Sequence, residues 1–107
     1  MTPQKRIEQA LKSDNAAQVR IAEVGLDWIA TLLAKNADYG SSVWDAPVLK
    51  PEMSLGDAIF VRMSDKIARI ATLQSQQALV SSESLEDTIK DLGAYCLLAL
   101  ARPKGDE

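Results

Sequence analysis

The chain has 107 residues, 47% of them hydrophobic and 25% charged, with a net charge of −3, one cysteine and no histidine. This length suits a single helical domain over residues 1–107, and the negative balance excludes broad electrostatic attraction to bulk nucleic acid or an anionic membrane. The lack of histidine excludes a Ser-His-Asp triad and the usual zinc sites, so a hard ion on carboxylates, such as Mg²⁺, is the metal the sequence admits.

Thr2-Pro3 reads as a helix start, with proline in the first turn. Ile7, Ala10 and Leu11 follow at helical spacing, and the short helix frays or bends around Ser13-Asp14-Asn15, where capping residues cluster. A second helix is predicted from about Ala16 to Lys35. Val19, Ala22, Leu26, Ile29 and Leu33 form one apolar stripe on it, and Ile21, Val24, Trp28 and Leu32 a second. Two stripes imply more than one buried face: the helix is central to the domain, or it also serves a subunit interface.

Asn36 to Met53 reads as a long loop. Gly40, Ser41, Ser42, Pro47 and Pro51 break regular structure, while Tyr39 and Trp44 argue for an ordered loop because both rings need cover. A weak alternation at Ser42 to Val48 hints at a strand. Ser54 caps a third helix reaching about Gln77, with Asp57 at its third position. Val80-Ser81-Ser82 makes a turn, Ser82 or Ser84 caps a fourth helix to about Ala101, and Pro103 forbids its continuation. The predicted fold is all-α, a small bundle of about four helices with a long ordered loop between the second and third.

On helix three Ile59, Met63, Ile67 and Ile70 form an apolar stripe, with Arg62, Asp65, Lys66 and Arg69 in a charged arc beside it. Leu55 and Leu73 lie at nearly the angle of Arg62, so this arc is expected to be partly buried. On helix four Glu83, Asp87 and Asp91 share one face, continued by Ala94, Leu98 and Ala101. Leu85, Ile89, Leu92 and Cys96 form the opposite face, read as core. The short turn makes helices three and four antiparallel, placing Asp91 near Arg69 or Ile70 and Tyr95 near Lys66. The carboxylates then either pair with the cations structurally or hold Mg²⁺, and the cations either close those pairs or bind phosphate. Glu23 and Asp27 add an acidic step on helix two, beside Arg20, which reads as a solvated face. Tyr39-Gly40-Ser41 can cradle an anion on backbone N–H groups, or can simply be a turn in which Gly40 supplies a positive φ.

No signal-peptide core precedes Asp14 and no segment reaches the ~18 unbroken apolar residues of a membrane span. A lone Cys96 forms no intrachain disulfide and suits a reducing compartment. The expected location is the cytoplasm of a bacterial host cell.

Three segments together, Lys35 to Trp44 (KNADYGSSVW), Val61 to Arg69 (VRMSDKIAR) and Glu83 to Tyr95 (ESLEDTIKDLGAY), resemble in order and spacing the nucleotide modification associated domain 1 family. The resemblance covers about residues 35 to 100, and Tyr39, Gly40, Arg62, Lys66, Arg69, Glu83, Asp87 and Asp91 stand at the shared positions. It implies nucleotide biology in phages and prophages, with no assigned reaction. The chain departs from the pattern in its additional N-terminal residues and at Asp45-Ala46-Pro47. A weaker similarity, to MazG-type all-helical nucleotide pyrophosphatases, would use Glu23, Asp27, Glu83, Asp87 and Asp91 on Mg²⁺, but the paired-glutamate motif of those enzymes is missing from helix two.

Three functions follow as expectations. The first is a binding module for a small phosphate-bearing nucleotide, a precursor or a signal that a phage sequesters, held by Arg62, Lys66, Arg69 and the Tyr39-Gly40-Ser41 turn, with Tyr39 or Trp44 stacked on the base. The second is an Mg²⁺-dependent nucleotide hydrolase with Glu83, Asp87 and Asp91 on the metal. The third is a helical scaffold that assembles a homo-oligomer through the wide apolar face of helix two.

Overall fold

The computed structural model describes residues 1–40, 42–75 and 84–103, without the side chains of Tyr39 and Ser42. Among the described residues there are four α-helices and no strand: α1 (Pro3–Leu11), α2 (Ala16–Tyr39), α3 (Leu55–Ser75) and α4 (Leu85–Leu100). The protein is all-α, as the periodicity predicts. Two compact units divide it, Met1–Gly40 and Ser41–Glu107.

In the first unit α1 packs on α2. Thr2 Oγ1 accepts the Lys5 N–H at 3.2 Å and Pro3 opens the helix. Asn15 Oδ1 caps α2, accepting the N–H groups of Ala17 at 3.0 Å and Gln18 at 3.3 Å. Each contact satisfies a donor that has no partner within the helix. α2 continues past Lys35, where the sequence suggested it would end, and stops at Gly40. Ala37 is a strong helix former, and Asn36 and Asp38 are weak formers rather than breakers, so the stop waits for a residue that tolerates φ of 73°. There the Gly40 N–H donates to the Asn36 carbonyl at 2.8 Å, and Asn36 Nδ2 returns a bond to the Gly40 carbonyl at 3.1 Å. The two predicted stripes of α2 are not both covered. Val19, Ala22, Trp28 and Leu32 are half-buried, whereas Ile21, Val24, Leu26, Ile29 and Leu33 are exposed.

The second unit is the hairpin of α3 and α4, together with the segment that leads into it. Ser42–Trp44 forms one 3-10 turn where the alternation hinted at a strand; no neighbouring strand is present among the described residues to pair with it. Ser54 Oγ accepts the Asp57 N–H at 3.1 Å and so caps α3. Of the two serines offered for α4, Ser84 is its cap, accepting the Asp87 N–H at 3.1 Å. The predicted end of helix three at Gln77 and the Val80-Ser81-Ser82 turn lie outside the described residues.

The helices of the hairpin are antiparallel. A Cβ placed on Gly56, at the start of α3, would lie 4.0 Å from Arg102 Nε just beyond the end of α4. Among the described residues Ile59 is fully buried, and Ala58, Thr88 and Ala99 are buried as well. Thr88 can be buried because its hydroxyl donates to the Ser84 carbonyl at 3.0 Å. Ile59, Met63 and Ile70 keep the inward positions read from the sequence, but Ile67 does not, and neither do Ile89 and Cys96 on α4; all three are exposed. Around the Lys66–Asp91 pair that joins the helices, the contact line is broader than the predicted apolar stripe: Leu55, Ile59, Arg62, Lys66, Arg69, Ile70 and Leu73 on one side and Thr88, Asp91, Tyr95 and Ala99 on the other are all buried or half-buried.

Candidate functional site

The cationic belt of α3 lies on that contact line. Arg62, Lys66 and Arg69 are each half-buried, which the bracketing Leu55 and Leu73 anticipated. Spacing of four and three residues brings the three cations onto one face of the helix, and Lys66, the middle one, reaches α4. Asp65, read as part of the same arc, is exposed.

Lys66 Nζ donates to Asp91 Oδ2 at 3.2 Å, with side-chain exposures of 27% and 46%. The sequence placed Asp91 against Arg69 or Ile70, so this pair sits one helical turn nearer the start of α3 than expected. The pairing sets the register: in an antiparallel hairpin Arg62 falls level with Tyr95, and Ile59 level with Leu98. Arg69 is also engaged in an interaction. Arg62 differs. It makes no hydrogen bond or ion pair among the described residues. No fully buried polar side-chain atom there is left unsatisfied, so its guanidinium is in reach of solvent. A half-buried guanidinium with open donors, one turn from an ammonium, is an arrangement suited to an anion with several oxygens.

Trp44 reaches the same hairpin. Its indole N–H donates to the Leu98 carbonyl at 3.1 Å. Leu98 is in the last turn of α4, where carbonyls lack partners within the helix. The next carbonyl, that of Ala99, takes a bond from Arg102 Nη1 at 2.6 Å. The loop is therefore anchored at the level of Ile59, one turn from Arg62. Sequence reading singled out Trp44 as a stacking ring but missed this anchor, and it missed Arg102 as the cap of α4. A basic residue just after a helix was the available signal for Arg102.

The acidic residues divide. Asp87 lies in the first turn of α4, where its Oδ2 accepts the Ser84 hydroxyl at 2.8 Å, so it belongs to the cap. Asp91, one turn on, belongs to the ion pair with Lys66. Glu83 and Ser41 lie outside the described residues. Among the described residues no group of three or more acidic or cysteine side chains could hold a metal ion. Glu23 and Asp27 lie on α2, in the other unit. Tyr39 is the last residue of α2, and Gly40, whose N–H is engaged by Asn36, ends it.

Among the described residues no helix is long and apolar enough to cross a membrane. A family model described as nucleotide modification associated domain 1 matches residues 35–102, which takes in Trp44, the α3–α4 hairpin and every cation of the belt. No curated protein and no solved structure matches the chain. The likeness to MazG-type pyrophosphatases is not shown by these comparisons.

Proposed function

Because the chain belongs to the nucleotide modification associated domain 1 family, we propose that it is a binding module for a small phosphate-bearing nucleotide, a precursor or a signalling nucleotide. The observation that carries this reading is Arg62: half-buried, without a partner among the described residues, and one turn from Lys66. Its guanidinium would take two phosphate oxygens in a fork, and Lys66 would share its charge between Asp91 and the ligand. Arg69 extends the belt by one more turn. Tyr95, level with Arg62, and Trp44, tied to Leu98, stand where a base next to those phosphates would be covered by an aromatic ring.

The test is calorimetric titration of the full chain with nucleoside mono-, di- and triphosphates in the presence of EDTA. Binding without divalent metal, lost on Arg62→Ala, is the expected result. Turnover that needs Mg²⁺ and stops on Asp87→Asn would instead make the protein a hydrolase. A second reading, a helical scaffold, draws support from the exposed Ile21, Val24 and Leu33 on α2. A scaffold would keep its assembly through Arg62→Ala and bind no nucleotide.

A further inference from the structure

The α3–α4 hairpin has a second side, away from the cationic belt, and that side is apolar. Phe60 and Ile67 on α3 are 55% and 56% exposed; Ile89 and Leu100 on α4 are 54% and 85% exposed, with exposed Cys96 between them. On helical wheels these residues lie about 100° around each helix from the line on which α3 and α4 meet. The two helices run in opposite directions, so rotations of the same sense turn both arcs toward the same side. Register places Phe60 near the level of Cys96 and Ile67 near the level of Ile89. The result is one continuous face, bordered on α4 by the exposed Glu86–Lys90 pair at 3.7 Å.

We propose that this face is a homodimer interface, occupied by the same face of a second copy of the chain. Two observations point to a copy of itself. The first is area. These five side chains leave on the order of 500 Å² of apolar surface, the upper part of the ~300–600 Å² found as the largest patch on a monomer. Two such faces joined bury about 1,000 Å², the least that a specific interface needs and more than most packing contacts reach. The second is self-complementarity. Ile89, Gly93, Cys96 and Leu100 follow one another at intervals of four, three and four residues, a pattern that reads the same in reverse. When two α4 helices cross antiparallel about a point between Ala94 and Tyr95, Gly93 of one copy meets Cys96 of the other. Ile89 then meets Leu100. The small residues let the axes approach at the centre, and the large ones fill the ends. Every contact occurs twice, as a two-fold interface requires. Phe60 and Ile67 widen the seam on the α3 side.

Cys96 is the chain's single cysteine, and the pairing places it within roughly 10 Å of its counterpart. The experiment therefore uses the unmodified full chain. Light scattering and sedimentation across 1–100 µM should give twice the 11.6 kDa chain mass, and a short bismaleimide should join the copies through Cys96. Ile89→Asp and Leu100→Asp, at exposed positions, should each weaken association at least tenfold with helical content unchanged by circular dichroism. If a variant loses helicity, cross-linking of the wild-type chain decides. A monomer of full helicity at every concentration would overturn the proposal and leave the face to a different protein. A dimer that neither cross-links through Cys96 nor responds to the substitutions would also overturn it and move the interface elsewhere.

Discussion

The indole N–H of Trp44 donates to the carbonyl oxygen of Leu98, 54 residues away in sequence, at 3.1 Å. One bond thus fixes the segment before α3 and satisfies a carbonyl at the end of α4. Trp44→Phe keeps a ring and removes the bond, so it should cost about 1 kcal/mol of stability. Trp44→Ala also removes packing and should cost about 2–3 kcal/mol, less than a fully buried aromatic. Urea denaturation of the three proteins measures both steps.

The Lys66–Asp91 pair is partly exposed, and pairs of that kind contribute at most about 1 kcal/mol. Asp91→Asn should therefore change stability little. It also releases the Lys66 ammonium from its carboxylate, so nucleotide affinity should rise, and that affinity should fall steeply with added salt. Calorimetry at two salt concentrations measures this, and a loss of affinity would show Asp91 to be part of the ligand's own contacts.

Two glycines should respond oppositely to alanine. Gly40 has φ of 73°, and although nothing lies within 4 Å of a Cβ there, the backbone itself is strained by one. With ψ of −161° this is a conformation essentially confined to glycine, and Gly40→Ala should cost about 1–3 kcal/mol. Gly25 lies inside α2 with open space around its Cβ position, and Gly25→Ala should stabilise by about 0.5–1 kcal/mol. Thermal melts of both variants give the two signs directly.

The helix starts were legible because they are local. Thr2, Asn15, Ser54 and Ser84 each accept an N–H within the next three residues, and such contacts follow from residue type and spacing alone. The end of α2 was less legible, since Asn36 offers a possible stop and only Gly40 imposes one. The half-burial of Arg62, Lys66 and Arg69 could be read from Leu55 and Leu73, which share their face. The outward position of Ile67, Ile89 and Cys96 could not. Periodicity identifies an apolar stripe but not what covers it, and α4 carries apolar residues around most of its circumference. The Trp44–Leu98 bond leaves no trace in local pattern because its acceptor is a backbone carbonyl that any residue would supply.

Ser84 should be worth more than its single cap bond. Its oxygen accepts the Asp87 N–H and its hydroxyl donates to the Asp87 carboxylate. Ser84→Ala should cost about 1–2 kcal/mol, read as a fall in melting temperature of roughly 4–8 °C per kcal/mol. Ser84→Asp, which keeps the acceptor but sets two carboxylates side by side, should recover only part of that.

The most direct test of the central claim is a thermal shift of the wild-type chain beside Arg62→Ala, against mono-, di-, tri- and cyclic nucleotides in EDTA. A ligand at a hundred times its dissociation constant stabilises the native state by ~2.7 kcal/mol, a rise of roughly 10 °C or more for a protein of this size. A nucleotide binder should show that rise with at least one class of nucleotide, and Arg62→Ala should lose it while melting within a few degrees of the wild type in the absence of ligand. A flat response across the panel from well-folded protein, or a shift that Arg62→Ala leaves unchanged, would contradict the assignment of the α3 belt as a phosphate site.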